Sequence, residues 1–301
     1  MPLQTFVATL VANPQQFALS DALIARAAQA LPGFASTRWL DPEVAADLFF
    51  TGEDAALALA RTQLSAALTG EKVDAIVQPA AGRRKKLLLA DMDSTLIGQE
   101  CIDELAARVG VGAHVAAITE RAMRGEIAFE PALRERVALL AGLPETVIAE
   151  VLDSAITLTP GGRALVQTMR GHGAYTAIVS GGFTQFTSVV AARLGMHEHR
   201  ANALIVKNGH LTGRVGEPIL GRDAKLATLR DLRAARGLGL DETLAIGDGA
   251  NDLAMLGEAG LGAAYRAKPA VAAAAHARID HADLTALLYA QGFARGAFIE
   301  G

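Results

Sequence analysis

A single cysteine in 301 residues excludes any internal disulfide, and with it the stapled scaffolds of small secreted proteins. Cys101 lies near Ile102 and Leu105 and reads as a small core residue of a helix face, not as a nucleophile. Aromatic residues are scarce, at 5% with one tryptophan, so the core must be built from Ala, Leu, Val and Ile within the 51% apolar content. No uninterrupted apolar run approaches the ~20 residues that span a bilayer. The N-terminus shows no basic segment followed by an apolar one, so no signal peptide is read there. Positive charge is not in excess either: a net charge of -4 offers no field for nucleic acid and no polybasic membrane anchor. The one basic block, Arg83-Arg84-Lys85-Lys86, reads as a solvated linker. These absences lead to the expectation of a cytoplasmic protein with neither nucleic acid nor membrane as partner, and the length suits two domains.

What is present is organised around Leu87-Leu88-Leu89-Ala90-Asp91-Met92-Asp93-Ser94-Thr95. The short apolar run predicts a strand buried on both faces, as inside a parallel sheet. Ligands of such sheets bind beyond the carboxyl ends of the strands, where Asp91 and Asp93 stand. Two carboxylates there repel one another unless a cation lies between them. A hard dication such as Mg²⁺ suits oxygen ligands of this kind.

Residues 1–80 read as a unit of their own, with the element order β-α-β-β-α-β of a split-βαβ, ferredoxin-like domain. Ser20 and Asp21 open its first helix, and Trp39, Phe49 and Phe50 read as its core. From Gln99 to Leu158 the pattern is wholly helical, including segments Ala113–Arg124 and Glu130–Ala141. An all-helical insert after the first buried strand is expected to form a cap that excludes water from the site. A helix is predicted from Pro160, and then Tyr175–Val179 reads as a second buried strand ending in Ser180-Gly181-Gly182, which opens the next helix. His197 and His199 read as loop residues. Asn208-Gly209 signals a tight hairpin. Lys225 falls in the first turn of a helix, and Thr243–Gly247 is a third buried strand ending in Asp248-Gly249-Ala250-Asn251-Asp252. Two helices rich in Ala and Leu finish the chain.

Three strand ends thus carry complementary chemistry. Asp91, Asp93 and Asp248 offer oxygens for a cation, and Ser180 with the Gly181 amide offers an anion cradle. Lys225 offers a point charge of the kind used on phosphate. Together they describe phosphoryl transfer, in which positioning and charge neutralisation do most of the catalysis.

Those four motifs resemble the haloacid dehalogenase superfamily of phosphotransferases. The longer segments Asp91–Ala106, Glu120-Arg121-Ala122-Met123-Arg124-Gly125 and Arg134-Glu135-Arg136-Val137 are similar to its phosphoserine phosphatases, over about residues 85–290. The fold implied is α/β: a Rossmann-like parallel sheet (85–301) with a helical cap at about 99–158. It follows a small α+β domain at 1–80 that resembles ACT domains in element order alone. That first unit could bind an amino acid, regulate, or serve packing and dimerisation, so a homodimer is among the partners it allows. The resemblance implies Asp91 as nucleophile and Asp93 as acid and base. Mg²⁺ would be held by Asp91, Asp93 (through its carbonyl) and Asp248, with Asp252 in support. Ser180, Gly181, Lys225 and Asn251 would hold phosphate, and Glu100 and Arg136 would meet the ammonium and carboxylate of O-phospho-serine. The activity implied is the last step of serine biosynthesis. A related phosphatase or phosphotransferase acting on another small phosphorylated alcohol is the alternative, because such motifs define the reaction better than the substrate.

Overall fold

A computed structural model describes residues 3–13, 15–16, 18–123 and 126–300. Its first eighty residues follow the order read above: β1 (Gln4–Ala12), α1 (Asp21–Gln29), β2 (Phe34–Asp41), β3 (Ala45–Gly52), α2 (Ala55–Ala67) and β4 (Val73–Pro79). The antiparallel sheet is ordered β2-β3-β1-β4, as in a ferredoxin-like domain. Ser20 starts α1 because its hydroxyl accepts the Leu23 N–H, satisfying one orphan donor of the first turn. On one face of the sheet Phe6, Leu10, Leu48 and Phe50 pack with Leu23 and Leu64 of the two helices. On the other, Val11, Ala45 and Ile76 join the core of the rest of the chain. For this reason β1 is buried continuously from Phe6 to Ala12 instead of on alternate residues.

The larger unit begins with β5 (Leu87–Ala90), followed by α3 (Cys101–Arg108), α4 (Gly112–Met123), α5 (Phe129–Ala138) and α6 (Thr146–Ser154), which form the expected cap. Arg124 and Gly125, part of the expected cap helix and motif, lie outside the described residues. The chain continues through α7 (Gly162–Gly171), β6 (Tyr175–Phe183), α8 (Thr184–Leu194), β7 (Glu198–Asn202), β8 (Leu204–Lys207) and β9 (His210–Val215). It ends with α9 (Arg222–Ala235), β10 (Thr243–Gly247), α10 (Leu253–Glu258), β11 (Leu261–Tyr265), α11 (Pro269–Ala274), β12 (Ala277–Ile279) and α12 (Ala286–Ala290). Six strands make a parallel sheet ordered β12-β11-β10-β5-β6-β7. In β5, Leu87 and Leu89 face Leu229 and Leu232 of α9 and Met255 and Leu256 of α10. Leu88 and Ala90 face the opposite cluster, with Leu165, Phe186 and Val190. The unbroken apolar run is thus the signature of a strand covered on both sides. Asn208 and Gly209, at φ 52° and 75°, make the tight turn between β8 and β9. That hairpin leans on the cap, with the Gly142 and Glu145 N–H groups donating to Leu211 and Gly209 carbonyls, each at 2.8 Å.

Several local expectations are corrected. β6 does not stop at Val179 but runs through Ser180-Gly181-Gly182 to Phe183, so α8 begins only at Thr184. Its pairing with β7 breaks register between Val179 and Phe183, which frees those backbone groups from the ladder while keeping them extended. Pro160 precedes α7 and does not open it, because Gly161 takes φ 78° and the helix starts at Gly162. His199 lies within β7, its ring 2.9 Å from Thr187 Oγ1. The short strand β12 separates the two final helices. The basic block is not a solvated linker, since Arg83 and Lys85 are buried. Arg83 donates both Nη groups to Asp47, at 3.1 and 2.8 Å, and Lys85 Nζ donates to the Gly82 and Asp241 carbonyls at 3.1 and 2.6 Å. The same seam is closed by Asp74, which accepts the N–H groups of Asp280, His281 and Ala282 at 2.9, 3.1 and 2.8 Å. Gln78 donates to the Ala290 carbonyl, and Tyr289 to Asp41.

Candidate active site

The ends of β5, β6 and β10 meet at one edge of the parallel sheet. The ladder extends one residue past β5, because the Asp91 N–H still donates to Ile246 O at 2.9 Å. Asp91 Oδ1 accepts the Met92 N–H at 2.7 Å, and Oδ2 lies 2.5 Å from Lys225 Nζ. Lys225 is 1% exposed and also reaches Asp252 Oδ1 at 2.7 Å. The second oxygen of Asp252 accepts the Gly249 N–H at 3.0 Å. Thr95, which sequence reasoning passed over, donates to Asp248 Oδ1 at 3.3 Å. Carboxylate oxygens of Asp91, Asp248 and Asp252 all lie within 4.8 Å of one another.

Lys225 cannot by itself neutralise three carboxylates, and the charge of Lys268 acts on Asp248 more weakly than that of Asp91. Burial and then the charge of Asp91 push Asp252 up to about 7 and raise Asp248 as well. Burial disfavours the Lys225 charge, but Asp91 and Asp252 together hold it above its ordinary value. Hard oxygen donors with surplus negative charge at a strand end fit a divalent cation of the Mg²⁺ type. That fit rests on the donor set itself.

The Asp93 side chain is not part of this carboxylate group. Its Oδ1 accepts the Cys101 N–H at the start of α3, at 3.1 Å. Burial first, and Glu100 next, push its carboxyl up to about 8. Across from it, Ser180 is 1% exposed and accepts the Gly182 N–H at 2.9 Å. A Cβ on Gly182 would stand 2.6 Å from Asp93 Oδ2 and 3.1 Å from Ser180 Oγ, so only glycine lets these two groups approach. Asn202, at the end of β7, donates to the Gly181 and Leu220 carbonyls at 2.9 and 3.2 Å and accepts the Leu220 N–H at 2.7 Å. It thus ties the end of β6 to the segment that leads into α9 and Lys225. The sequence reading missed Asn202 because β7 was not recognised; a polar residue ending a strand was the available signal.

The cap contributes two groups of opposite sign. Glu100, which precedes α3, accepts the Ser94 hydroxyl at 2.7 Å. Burial raises its carboxyl, and the Ser94 bond works against that. Arg136 on α5 is held by the Ala132 carbonyl and the Thr119 hydroxyl, each at 3.3 Å. Glu135 and Glu130 pair with Arg121 and Arg134 instead. Burial lowers Arg136, opposed by the charges of Asp103, Glu100 and Asp93, so this guanidinium sits in the field of the site. Phe129, at the start of α5, lies against Gly181. Asn251 is half-buried on the turn between Asp248 and Asp252, and among the described residues its side chain makes no hydrogen bond to the other predicted site groups.

Residues 88–257 match the family of haloacid dehalogenase-like hydrolases. The chain belongs to the haloacid dehalogenase-like hydrolases. Asp91, Ser180, Lys225 and Asp248 all fall within the stretch 88–257 that matches this family. A phosphoserine phosphatase of Lactococcus lactis is 44% identical over 204 residues, covering 68% of this chain and 94% of that one. One of Mycobacterium tuberculosis is 45% identical over 228 residues, covering 75% of this chain and 56% of that one. The chain therefore spans little more than half the length of the mycobacterial relative. A solved haloacid dehalogenase family hydrolase from Salmonella enterica serovar Typhi superposes with a TM-score of 0.85 at 29% identity, covering 95% of this chain and 97% of that chain. In this haloacid dehalogenase-like hydrolase the sheet, the cap and the small antiparallel domain all fall within one similar architecture.

Proposed function

We propose that the chain is a Mg²⁺-dependent phosphoserine phosphatase that hydrolyses O-phospho-serine to serine and phosphate, the last step of serine biosynthesis. The observation that carries this reading is the strand-end group of Asp91, Asp248 and Asp252, with the buried Lys225 paired to Asp91 and Asp252. The identity to phosphoserine phosphatases supports the substrate, as does the pairing of Glu100 and Arg136 beside the site.

Mg²⁺ would be held by Asp91, Asp248 and the Asp93 carbonyl, with Asp252 in support, and would draw negative charge from the phosphate oxygens. In this proposal Asp91 attacks phosphorus and becomes an aspartyl phosphate, which splits one hydrolysis into two easier displacements. Asp93, whose acid form is accessible near neutral pH, gives its proton to the leaving serine oxygen and then takes one from the hydrolytic water. Ser180, the Gly181 amide, Lys225 and Asn251 hold the phosphate. Glu100 meets the ammonium and Arg136 the carboxylate. Residues 1–80 act as an ACT-like regulatory or dimerisation unit and 85–301 as the phosphatase unit with its cap at about 99–158; the strand order of the small sheet supports this division. A cytoplasmic setting agrees with one buried thiol, and no helix among the described residues is long and apolar enough to cross a membrane.

Phosphate release from O-phospho-serine and from a phosphomonoester lacking a carboxylate, each with and without Mg²⁺, tests the reading. Phosphoserine should be preferred and Mg²⁺ required. Arg136→Ala should reduce hydrolysis of phosphoserine by about 2–5 kcal/mol more than that of the simple ester, as expected for truncating one partner of a desolvated charge pair. Equal turnover of both esters by the unaltered chain would remove the substrate assignment.

A further inference from the structure

The opposite end of the same sheet holds a second concentration of charge, of the other sign. A cavity of about 360 Å³ is lined by Lys86, Arg170, Gly173, Ala174, Tyr175, His197, Arg236 and Leu238. Lys86 precedes β5 and Tyr175 opens β6, so the cavity lies at the amino ends of strands whose carboxyl ends carry the catalytic groups. Lys86 and Asp91 are five positions apart, about 17 Å at the rise of a β-strand. The two sites are distinct.

The lining is built, not scattered. The Arg236 guanidinium lies over the Tyr175 ring, 3.2 Å from its centroid, and the His197 ring stacks on Tyr175 at 4.6 Å with an interplanar angle of 17°. Thr176 donates its backbone N–H to His197 Nδ1 at 3.2 Å, which leaves the ring proton of the neutral form on Nε2 as a donor. Arg170 binds the Gly195 carbonyl, yet its Nε is buried with no hydrogen-bond partner. Nearby acids are already engaged: Glu242 pairs with Lys86, and Glu198 accepts Tyr175 OH and pairs with Arg200. Among the described residues neither Arg170 nor Arg236 pairs with a carboxylate. Burial, then Arg170 and Arg236, hold His197 below its ordinary value, as a site of net positive potential should.

We propose that this cavity binds a small molecule bearing a phosphate group, a site separate from the catalytic centre. Two unpaired guanidiniums match the charge of a phosphate, which is close to two at neutral pH. A carboxylate would leave one of them unmatched. His197, which lines the same cavity, adds its Nε2–H as a further donor.

Inorganic phosphate is the probe, and the His197 ring resonances are the readout, because the catalytic centre also takes phosphate but lies far from this ring. The His197 signals should shift saturably in the millimolar range. Arg236→Gln should weaken that response about tenfold or more, the scale for losing a charge-assisted hydrogen bond, while phosphate release at the catalytic centre stays unchanged. Arg236→Lys, which keeps the charge, should retain the response. Absence of any shift at His197, or an equal shift in Arg236→Gln, overturns the proposal.

Discussion

Asp47 and Asp91 are both buried carboxylates on or beside central strands, and each touches a buried cation, but they are surrounded in opposite ways. Asp47, in the seam between the small sheet and the larger unit, receives Thr9 Oγ1 at 2.8 Å, both Nη groups of Arg83 and one of Arg38. Asp74, close by, has three backbone N–H donors. The buried charges named in this seam are hydrogen-bonded by protein groups, and the seam works as architecture. At the candidate active site Asp91 shares Lys225 with Asp252 and lies beside Asp248. That imbalance is costly in the bare protein and is relieved only by a cation or by a proton. Paired charge holds the molecule together, whereas surplus charge waits for a ligand.

The largest effect that would sharpen this contrast is on turnover. Asp91→Asn should lower phosphate release by at least about 10⁴-fold, the scale seen when a nucleophile is removed from a catalytic set. It also removes one of three crowded carboxylates, so its melting temperature in the presence of a chelator should be no lower than that of the unaltered chain. A variant that loses its fold together with its activity would erase the distinction drawn between the two regions.

Next comes stability. Asp47→Ala should destabilise by about 3–5 kcal/mol, because Arg83 is left buried and unpaired. Denaturant titration measures this loss, and the folded fraction should keep its turnover number. If turnover fell while stability held, the seam would have to be counted as part of the site.

The smallest effect is one of pH. His276 accepts the Gly262 N–H on Nδ1 at 3.1 Å, and burial, then Arg61 and Lys85, lower it from its ordinary 6.5. A depressed folded value means that the stabilisation is present above 6.5 and is lost as pH falls through the folded value. Melting temperature should therefore drop modestly between pH 7 and pH 5. His276→Asn, which can accept the same bond without titrating, should flatten part of that slope. A slope identical in both proteins would assign the acid sensitivity to other groups.

The parts of the fold legible in the sequence are those whose signal is local. The four-residue apolar run of β5, the Asn208-Gly209 turn and the Ser20 cap each announce themselves within a few neighbours. The strand-end aspartates were legible for the same reason: polar residues that abruptly end a buried strand have few other uses. Where that rule was not applied, at the end of β7, Asn202 went unnoticed. The extension of β6 through Ser180 was also hidden, because two successive glycines read as a turn until the register break with β7 is seen.

By itself the sequence determined the class of chemistry, the capped parallel sheet and the ferredoxin-like order of the first eighty residues, since periodicity and strand-end composition are properties of adjacent residues. Only the tertiary structure decided what the basic block does. Arg83 meets Asp47 from 36 positions away, and Asp74 meets Ala282 from 208 positions away. Lys86, Arg170, His197 and Arg236 share one cavity although the chain scatters them over about half its length. Nothing local to a residue records which distant element will close over it, because that is set by how the faces of the two sheets pack. The continuous apolar run of β1 was a hint that both of its faces would be covered. What covered the second face could be read only from the packed molecule.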